Sequence, residues 1–274
     1  MSILEELFLL EGKTALVTGG ATGIGRMIAT ALARAGADVM IASRKADACT
    51  AIAAEINSLP DVRGKVTGFA GDVSTEEGIK ALAAEVNSRT DRLNILFNNA
   101  GVTWGEPLET FPYAAWSKVM GVNVAGLFTL TRDLLPLLEK AATPDDPARV
   151  VSLGSVMGTQ PLGDGAYSYA ASKAAVHHLT KILAKELAGR HITVNAFAPG
   201  PFQSRMTAYA TGTPDKAERV GKGVPLGRIG SPDDIAGASL FLCGRGGSYV
   251  TGAIIPIDGG IHVETGHELF SEGE

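Results

Sequence analysis

Seven short runs of nearly unbroken apolar residues recur along the chain: KTALVT (13–18), ADVMIA (37–42), KVTGFA (65–70), LNILFN (93–98), ARVVSLG (148–154), HITVNAF (191–197) and AIIPI (253–257). A strand that is apolar on both faces must be covered on both faces, and strands linked through helices run parallel. Helical patterns fill the gaps, over a stretch reaching Ala35 and then roughly 45–57, 75–88, 113–139, 167–188 and 232–243. The alternation predicts an α/β fold: a doubly wound parallel sheet of about seven strands with helices on both faces. After Pro199 the rhythm breaks. Residues 200–222 are polar or small with two short helical patterns, the profile of a mobile lobe over a crevice rather than a second domain. The chain, 1–274, is read as a single domain, with KAATPDDPA (140–148) a polar surface loop.

The first strand runs into VTGGATGIG, with glycines at 19, 20, 23 and 25 between strand and helix. Glycine permits a sharp turn and a close backbone approach, and the new helix presents free N–H groups to a phosphate. The context, strand then turn then helix, is that of a dinucleotide site, although the spacing is G-x-x-x-G-x-G rather than G-x-G-x-x-G. A tight turn without a ligand is the alternative. Which dinucleotide is a question of charge. An acidic residue after the second strand repels a ribose 2′-phosphate, whereas here the strand runs into Ser43 and Arg44. A guanidinium accepts a phosphate through charge-assisted bonds, so NADP is favoured over NAD unless Arg44 is merely a solvated surface cation. Asp72, ending the third strand, is placed to bond the adenine amine.

The stretch GAYSYAASKAAVHHLTKIL (165–183) holds tyrosines at 167 and 169 and lysines at 173 and 181. Tyr169 and Lys173, four apart, share a helix face, whereas Tyr167 and Lys173, six apart, do not. A phenol titrates near 10 and is a poor catalyst at neutral pH. A nearby ammonium and a positive nicotinamide ring both favour phenolate, which lowers that value toward the working range. Ser155, just past the 148–154 strand, stands where open α/β sheets bind ligand, and its hydroxyl can hold a substrate oxygen. The Asn123 amide is placed to fix a water linked to Lys173.

Taken together, TGGATGIG (18–25), DV (72–73), NNAG (98–101), VNVAG around Asn123, the Ser155 region, YAASK (169–173) and APG (198–200) resemble, in order and spacing, the short-chain dehydrogenase/reductase family. The resemblance spans residues 11–260. It implies a Rossmann-like fold and a homo-oligomer, tetramer or dimer. It makes Tyr169 the proton donor in reduction and has Lys173 lower its pKa and hold the nicotinamide ribose. Ser155 would orient the carbonyl and Asn123 complete the relay. The cofactor residues it implies are Gly19, Thr22, Gly23, Ile24, Gly25, Ser43, Arg44, Asp72, Val73, Asn99, Ala100, Gly101, Tyr169, Lys173, Pro199, Gly200, Phe202 and Ser204. Asn99 would support the sheet, and backbone atoms of Phe202 would grip the carboxamide. Thr22 stands where many NADPH-using relatives carry a basic residue, so Arg44 would act without that partner.

Within the family, TWGEPLE, VMGVNVAGLF and APGPFQSRMT are most similar to bacterial NADPH-dependent 3-oxoacyl reductases. Trp104, Met157, Tyr167 and Met206 are candidate substrate contacts, and with Phe202 they favour an apolar ketone. A packed indole is as good a reading of Trp104 and of Trp116. The expected activity is NADP(H)-dependent hydride transfer between nicotinamide and a ketone or secondary alcohol. The alternatives are a broader carbonyl, polyol or sugar reductase or dehydrogenase, and a non-catalytic dinucleotide-binding scaffold.

Other features bound the partners. The net charge of -5 gives no basic footprint for nucleic acid. Two cysteines, Cys49 and Cys243, are too few for a disulfide framework and point to a reducing compartment. The N-terminus carries Glu5 and Glu6 in place of a basic n-region, and no stretch reaches the roughly 20 apolar residues of a membrane span. A cytoplasmic enzyme is expected. His177 and His178 are read as packing or interface residues, and His262, Glu264, His267 and Glu268 as a solvated tail with no metal.

Overall fold

Alternate residues of the central strands enter opposite cores, which is why those strands are apolar throughout. Leu16, Met40, Leu96 and Val150 face one core, while Val17, Ile41, Phe97 and Val151 face the other. Each fully buried side chain of this size contributes about 1.5–3 kcal/mol. The computed structural model describes residues 2–163 and 165–264, so His267 and Glu268 lie outside the described residues. Seven strands, β1 (Thr14–Thr18), β2 (Asp38–Ser43), β3 (Val66–Ala70), β4 (Ile95–Asn98), β5 (Ala148–Leu153), β6 (Ile192–Pro199) and β7 (Ile254–Ile257), form one sheet in the order β3-β2-β1-β4-β5-β6-β7. Every pairing is parallel.

Eleven α-helices flank the sheet among the described residues: α1 (Ile3–Phe8), α2 (Gly23–Arg34), α3 (Ala46–Asn57), α4 (Glu76–Arg89), α5 (Tyr113–Met120), α6 (Leu127–Asp133), α7 (Leu135–Ala141), α8 (Tyr167–Leu187), α9 (Ala208–Thr211), α10 (Pro214–Gly221) and α11 (Pro232–Cys243). Helices α2, α3 and α11 bury Ile28, Leu32, Ile56, Ile235 and Leu242 in one core. On the other side α4, α7 and α8 contribute Leu82, Val86, Leu138, Leu183 and Leu187.

Two features depart from the sequence reading. The expected helix over 113–139 is broken twice. A π-helical turn at Gly121–Gly126 interrupts it where Gly126 packs on Val73, whose carbonyl oxygen would lie 2.3 Å from any added methyl group. The second break follows Asp133, where Pro136 in the first turn of α7 lacks the N–H that a continuous helix needs. The polar loop before β5 also reaches inside. Asp146 accepts from Arg149 Nη1 at 2.7 Å and from Lys13 Nζ at 2.7 Å, and Arg149, 1% exposed, donates to the Leu242 and Gly244 carbonyls at the end of α11. A guanidinium there complements the helix dipole.

The sheet order turns back between β1, which neighbours β2, and β4. Side by side, the carboxyl ends of these two strands open the crevice where doubly wound sheets bind ligands.

Candidate active site

The turn after β1 is fixed by its neighbours before any ligand enters. Gly19 and Gly23 have φ of +66° and +52°, a region other residues enter only with strain. The Thr18 hydroxyl donates to the Phe97 carbonyl and accepts from the Asn99 and Ala100 amides, both at 3.1 Å. In return, Asn99 Nδ2 donates to the Thr18 and Gly19 carbonyls at 2.8 and 3.3 Å. Gly25 sits behind this clamp, where an added methyl group would lie 2.4 Å from Asn99 Nδ2. Its role is close packing, and it does not line the cleft. The Thr22 side chain leaves the first turn of α2 uncapped, and that turn carries no acidic residue. Its free N–H groups suit an anion.

A cleft of about 500 Å³ runs along the carboxyl ends of β1, β2, β4, β5 and β6. Its walls include Gly19, Thr22, Gly23, Ile24, Ser43, Arg44, Asp72, Val73, Asn99, Ala100, Gly101, Ser155, Tyr169, Lys173, Pro199, Gly200, Phe202, Ser204 and Met206. Gly25, Asn123, Trp104, Met157 and Tyr167 lie outside these walls. At one end Arg44 forms no ion pair among the described residues, and its cation acts on Asp72. Burial pushes the Asp72 pKa up, but bonds from Ser74 and the Arg44 charge outweigh it and hold the carboxyl below its usual range. The Ser43 hydroxyl is turned toward Cys49 Sγ at 3.1 Å, leaving Arg44 as the stronger anion partner. An uncapped helix start, a free guanidinium and a volume in the range of ligand sites fit a phosphate-bearing dinucleotide.

At the other end stand Ser155, Tyr169 and Lys173. Ser155 caps the short 3₁₀ turn Val156–Gly158, its hydroxyl accepting from the Met157 amide at 3.2 Å. Lys173 Nζ donates to the Leu153 carbonyl at 2.6 Å and lies 5.5 Å from the centre of the Tyr169 ring. A methyl group on Gly101 would lie 3.7 Å from that nitrogen, so glycine keeps the space before Lys173 open. Lys173 is 5% exposed, and burial lowers its pKa to about 8.

The expected lowering of the Tyr169 pKa does not hold without a ligand. Burial raises it, and the Ser155 hydroxyl opposes this only in part. The half-buried phenol loses more hydration than its neighbours return, so an extra positive charge in the cleft is needed to reverse the sign.

Asn123 is anchored on both sides of its amide. It sits in the π-helical turn, 2% exposed, with both amide N–H groups donated, to the Val102 carbonyl and the Ser172 hydroxyl, each at 2.9 Å. Its Oδ1 accepts from the Val102 amide at 2.9 Å. Ser172 in turn donates to the Tyr169 carbonyl at 2.7 Å. The amide therefore ties the chain leaving β4 to α8, and its Oδ1 faces the same space as Lys173 Nζ, the two lying 3.2 and 3.7 Å from where a Gly101 methyl group would stand.

Tyr167 packs edge-on against Phe111 at 5.2 Å, and Phe111 packs against Trp116 at 6.0 Å. Trp104 is half-buried with Lys118 Nζ 5.2 Å above its ring. Met157 is half-buried behind Ser155, while Met206 is exposed on the cleft wall. The lobe over 200–222 carries α9 and α10, and Ser204 reaches the glycine turn, its Cβ 2.8 Å from where a Gly23 methyl group would stand. His262 is no part of a solvated tail: its Nδ1 lies 3.0 Å from the buried Asp258 carboxylate. Sequence reasoning missed Thr18 and Ser172. Each is a hydroxyl beside a singled-out residue, in VTGG and in YAASK, and that adjacency was the available signal.

Residues 19–262 match the family described as Enoyl-(Acyl carrier protein) reductase. The Rhamnolipids biosynthesis 3-oxoacyl-(acyl-carrier-protein) reductase of Pseudomonas aeruginosa is 45% identical over 93% of this chain and 98% of its own length. The 2-dehydro-3-deoxy-D-gluconate 5-dehydrogenase of Bacillus subtilis is 39% identical over 95% of this chain and 98% of its own. Among solved structures, the Pseudomonas aeruginosa RhlG/NADP active-site complex superposes with a TM-score of 0.88 at 45% identity, covering 94% of this chain and 99% of that one. The sheet order, the glycine turn, the placement of Ser155, Tyr169 and Lys173 around one cleft and these matches lead to a single conclusion: the chain belongs to the short-chain dehydrogenase/reductase family of oxidoreductases.

Proposed function

We propose that the protein is an NADP(H)-dependent reductase of 3-oxoacyl or similar apolar ketones. The observation that carries the reading is the meeting of Ser155, Tyr169 and Lys173 at one end of a cleft whose other end holds Arg44, which has no ion-pair partner among the described residues. Arg44 and Ser43 would take the ribose 2′-phosphate, the start of α2 the pyrophosphate, and Lys173 the nicotinamide ribose. NADPH, when bound, supplies a hydride to the carbonyl carbon. Tyr169 gives its phenolic proton to the carbonyl oxygen, and the Ser155 hydroxyl donates a hydrogen bond to that oxygen as negative charge grows on it. The Lys173 ammonium stabilises the phenolate left behind. In the opposite direction the same phenolate removes the proton of a secondary alcohol.

For the substrate, the 45% likeness to a 3-oxoacyl reductase and the apolar cleft wall at Phe202 and Met206 support an acyl ketone. The dehydrogenase likeness at 39% keeps a polyol or sugar acid as the second reading. NADPH oxidation at 340 nm, measured on a 3-oxoacyl thioester, a diketone and a keto-sugar with NADH alongside, separates them. The thioester is expected to give the highest kcat/KM with NADPH preferred, and Arg44→Ala is expected to raise the KM for NADPH about tenfold or more while leaving NADH little changed. A keto-sugar turned over fastest would overturn the substrate reading. Equal NADPH and NADH use by wild type and variant would overturn the role of Arg44.

A further inference from the structure

One buried titratable side chain beside the site takes no part in the chemistry above. His177 is 6% exposed, and neither of its ring nitrogens has a hydrogen-bond partner among the described residues. It lies one turn beyond Lys173 on α8, directly beneath the Ser155 turn. A methyl group on Gly154 would stand 2.3 Å from His177 Nε2, and one on Gly158 2.6 Å from its Cε1. The imidazole therefore touches both glycines that bracket Ser155. The turn between them is closed by its own local bonds, Gly158 N to the Ser155 carbonyl at 2.9 Å, the Ser155 cap, and Thr159 and Gln160 to the Val156 carbonyl, and is tied to β6 by Gly154 N to the Phe197 carbonyl at 2.8 Å. The ring is the floor on which this short turn rests.

A buried histidine that makes no hydrogen bond is expensive, and such a group needs an explanation. Its shape supplies one. The ring fills the gap left by two residues without side chains, so its thickness sets how far the turn stands above α8. The distance from the Ser155 hydroxyl to Tyr169, which is carried by α8 itself, follows from that height. Burial, reinforced by the charges of Lys173 and Lys181, both cations, keeps the ring neutral.

We propose that His177 is a positioning residue for Ser155, holding the serine turn, through Gly154 and Gly158, at the height where its hydroxyl meets Tyr169 and the substrate oxygen. The proposal rests on the reading of Ser155 as the group that orients the carbonyl. A double-mutant cycle over Ser155→Ala and His177→Ala keeps the two apart, because it measures whether one residue acts through the other. The readouts are kcat, KM, NADPH binding by fluorescence and the melting midpoint. His177→Ala is expected to lower kcat about tenfold or more, as small misplacements do, with NADPH binding within about twofold of wild type. In the Ser155→Ala background the same change is expected to cost nothing further in kcat. His177→Met, of similar volume and without ring nitrogens, is expected to recover most of the loss and to melt no lower than wild type.

Full additivity in the double variant overturns the positioning role while leaving the role of Ser155 intact. A Ser155→Ala enzyme with wild-type kcat overturns both. A folded His177→Met variant as impaired as His177→Ala shows that the ring nitrogens matter and overturns the steric account.

Discussion

Tyr169→Phe is expected to reduce kcat by about 10³-fold or more while the protein still binds NADPH with nearly wild-type affinity. The substitution removes one oxygen from a half-buried ring and leaves the ring's packing in place. What disappears is the only phenol on the cleft wall, at the same end as Ser155 and Lys173. Proton transfer by a positioned side chain is worth roughly 10²–10⁴-fold, and no other acid among the described residues is placed to substitute for it. Tyr167 cannot take over, because its ring is packed edge-on against Phe111 and lies off the cleft wall. Steady-state turnover with fluorescence titration of NADPH checks both halves. Loss of turnover together with loss of binding would indicate a collapsed cleft rather than a missing proton donor.

Lys173→Met has a comparably large effect of two opposite kinds. Turnover is expected to fall by about 10²-fold or more, since the ammonium that favours phenolate is gone. Stability moves the other way. The Lys173 pKa is lowered by burial to about 8, below its ordinary value near 10.5. Below pH 8 both folded and unfolded chains hold the proton, and the fold bears the full penalty of a buried ammonium. Between pH 8 and 10.5 the folded chain releases its proton first, so wild-type stability rises with pH across that window. The penalty below pH 8 is about 3 kcal/mol, partly offset in the variant by the Leu153 carbonyl left without its donor. The expected result at pH 7 is a variant that melts at or above wild type without nucleotide, with wild type gaining on it from pH 8 to 10.5. Melting curves at several pH values check this. A variant that loses stability at pH 7 and shows no differential pH dependence would contradict the assignment of a strained, buried ammonium.

The pattern fits a site kept at some expense to the fold. Lys173 and the uncapped start of α2 line one cleft, and His177, without a hydrogen-bond partner among the described residues, lies beneath its Ser155 turn. Functional sites are where local rules of stability are most often broken.

Much of this was legible from residue order. All seven strands lie within a residue or two of their apolar runs, and in the central strands burial on both faces leaves no polar register to confuse the reading. The glycine turn and the Tyr169–Lys173 pair were readable because each depends on local spacing. What escaped depends on contacts between distant segments. The π-helical turn around Asn123 lies where Gly126 meets Val73, and the Asn123 amide donates to Val102 and Ser172. No sequence window contains those pairs. The direction of the Tyr169 shift without a ligand escaped for a related reason: only the folded surroundings set the desolvation that outweighs the Ser155 hydrogen bond. His177 was assigned to packing from its helical phase, yet its two glycine neighbours lie about 20 residues upstream.

The central claim is that the Tyr169 pKa falls toward neutrality, making its phenolate available as a base, when a positive nicotinamide lies beside it. The most direct measurement is tyrosinate absorbance near 295 nm against pH, recorded for wild type minus Tyr169→Phe, with and without NADP⁺. The difference isolates Tyr169 from the other tyrosines. Without nucleotide the phenol is expected to ionise above the usual value near 10, as its burial requires. With NADP⁺ the midpoint is expected to drop by about 2 units or more, toward neutrality. The same midpoint in both titrations would contradict the account.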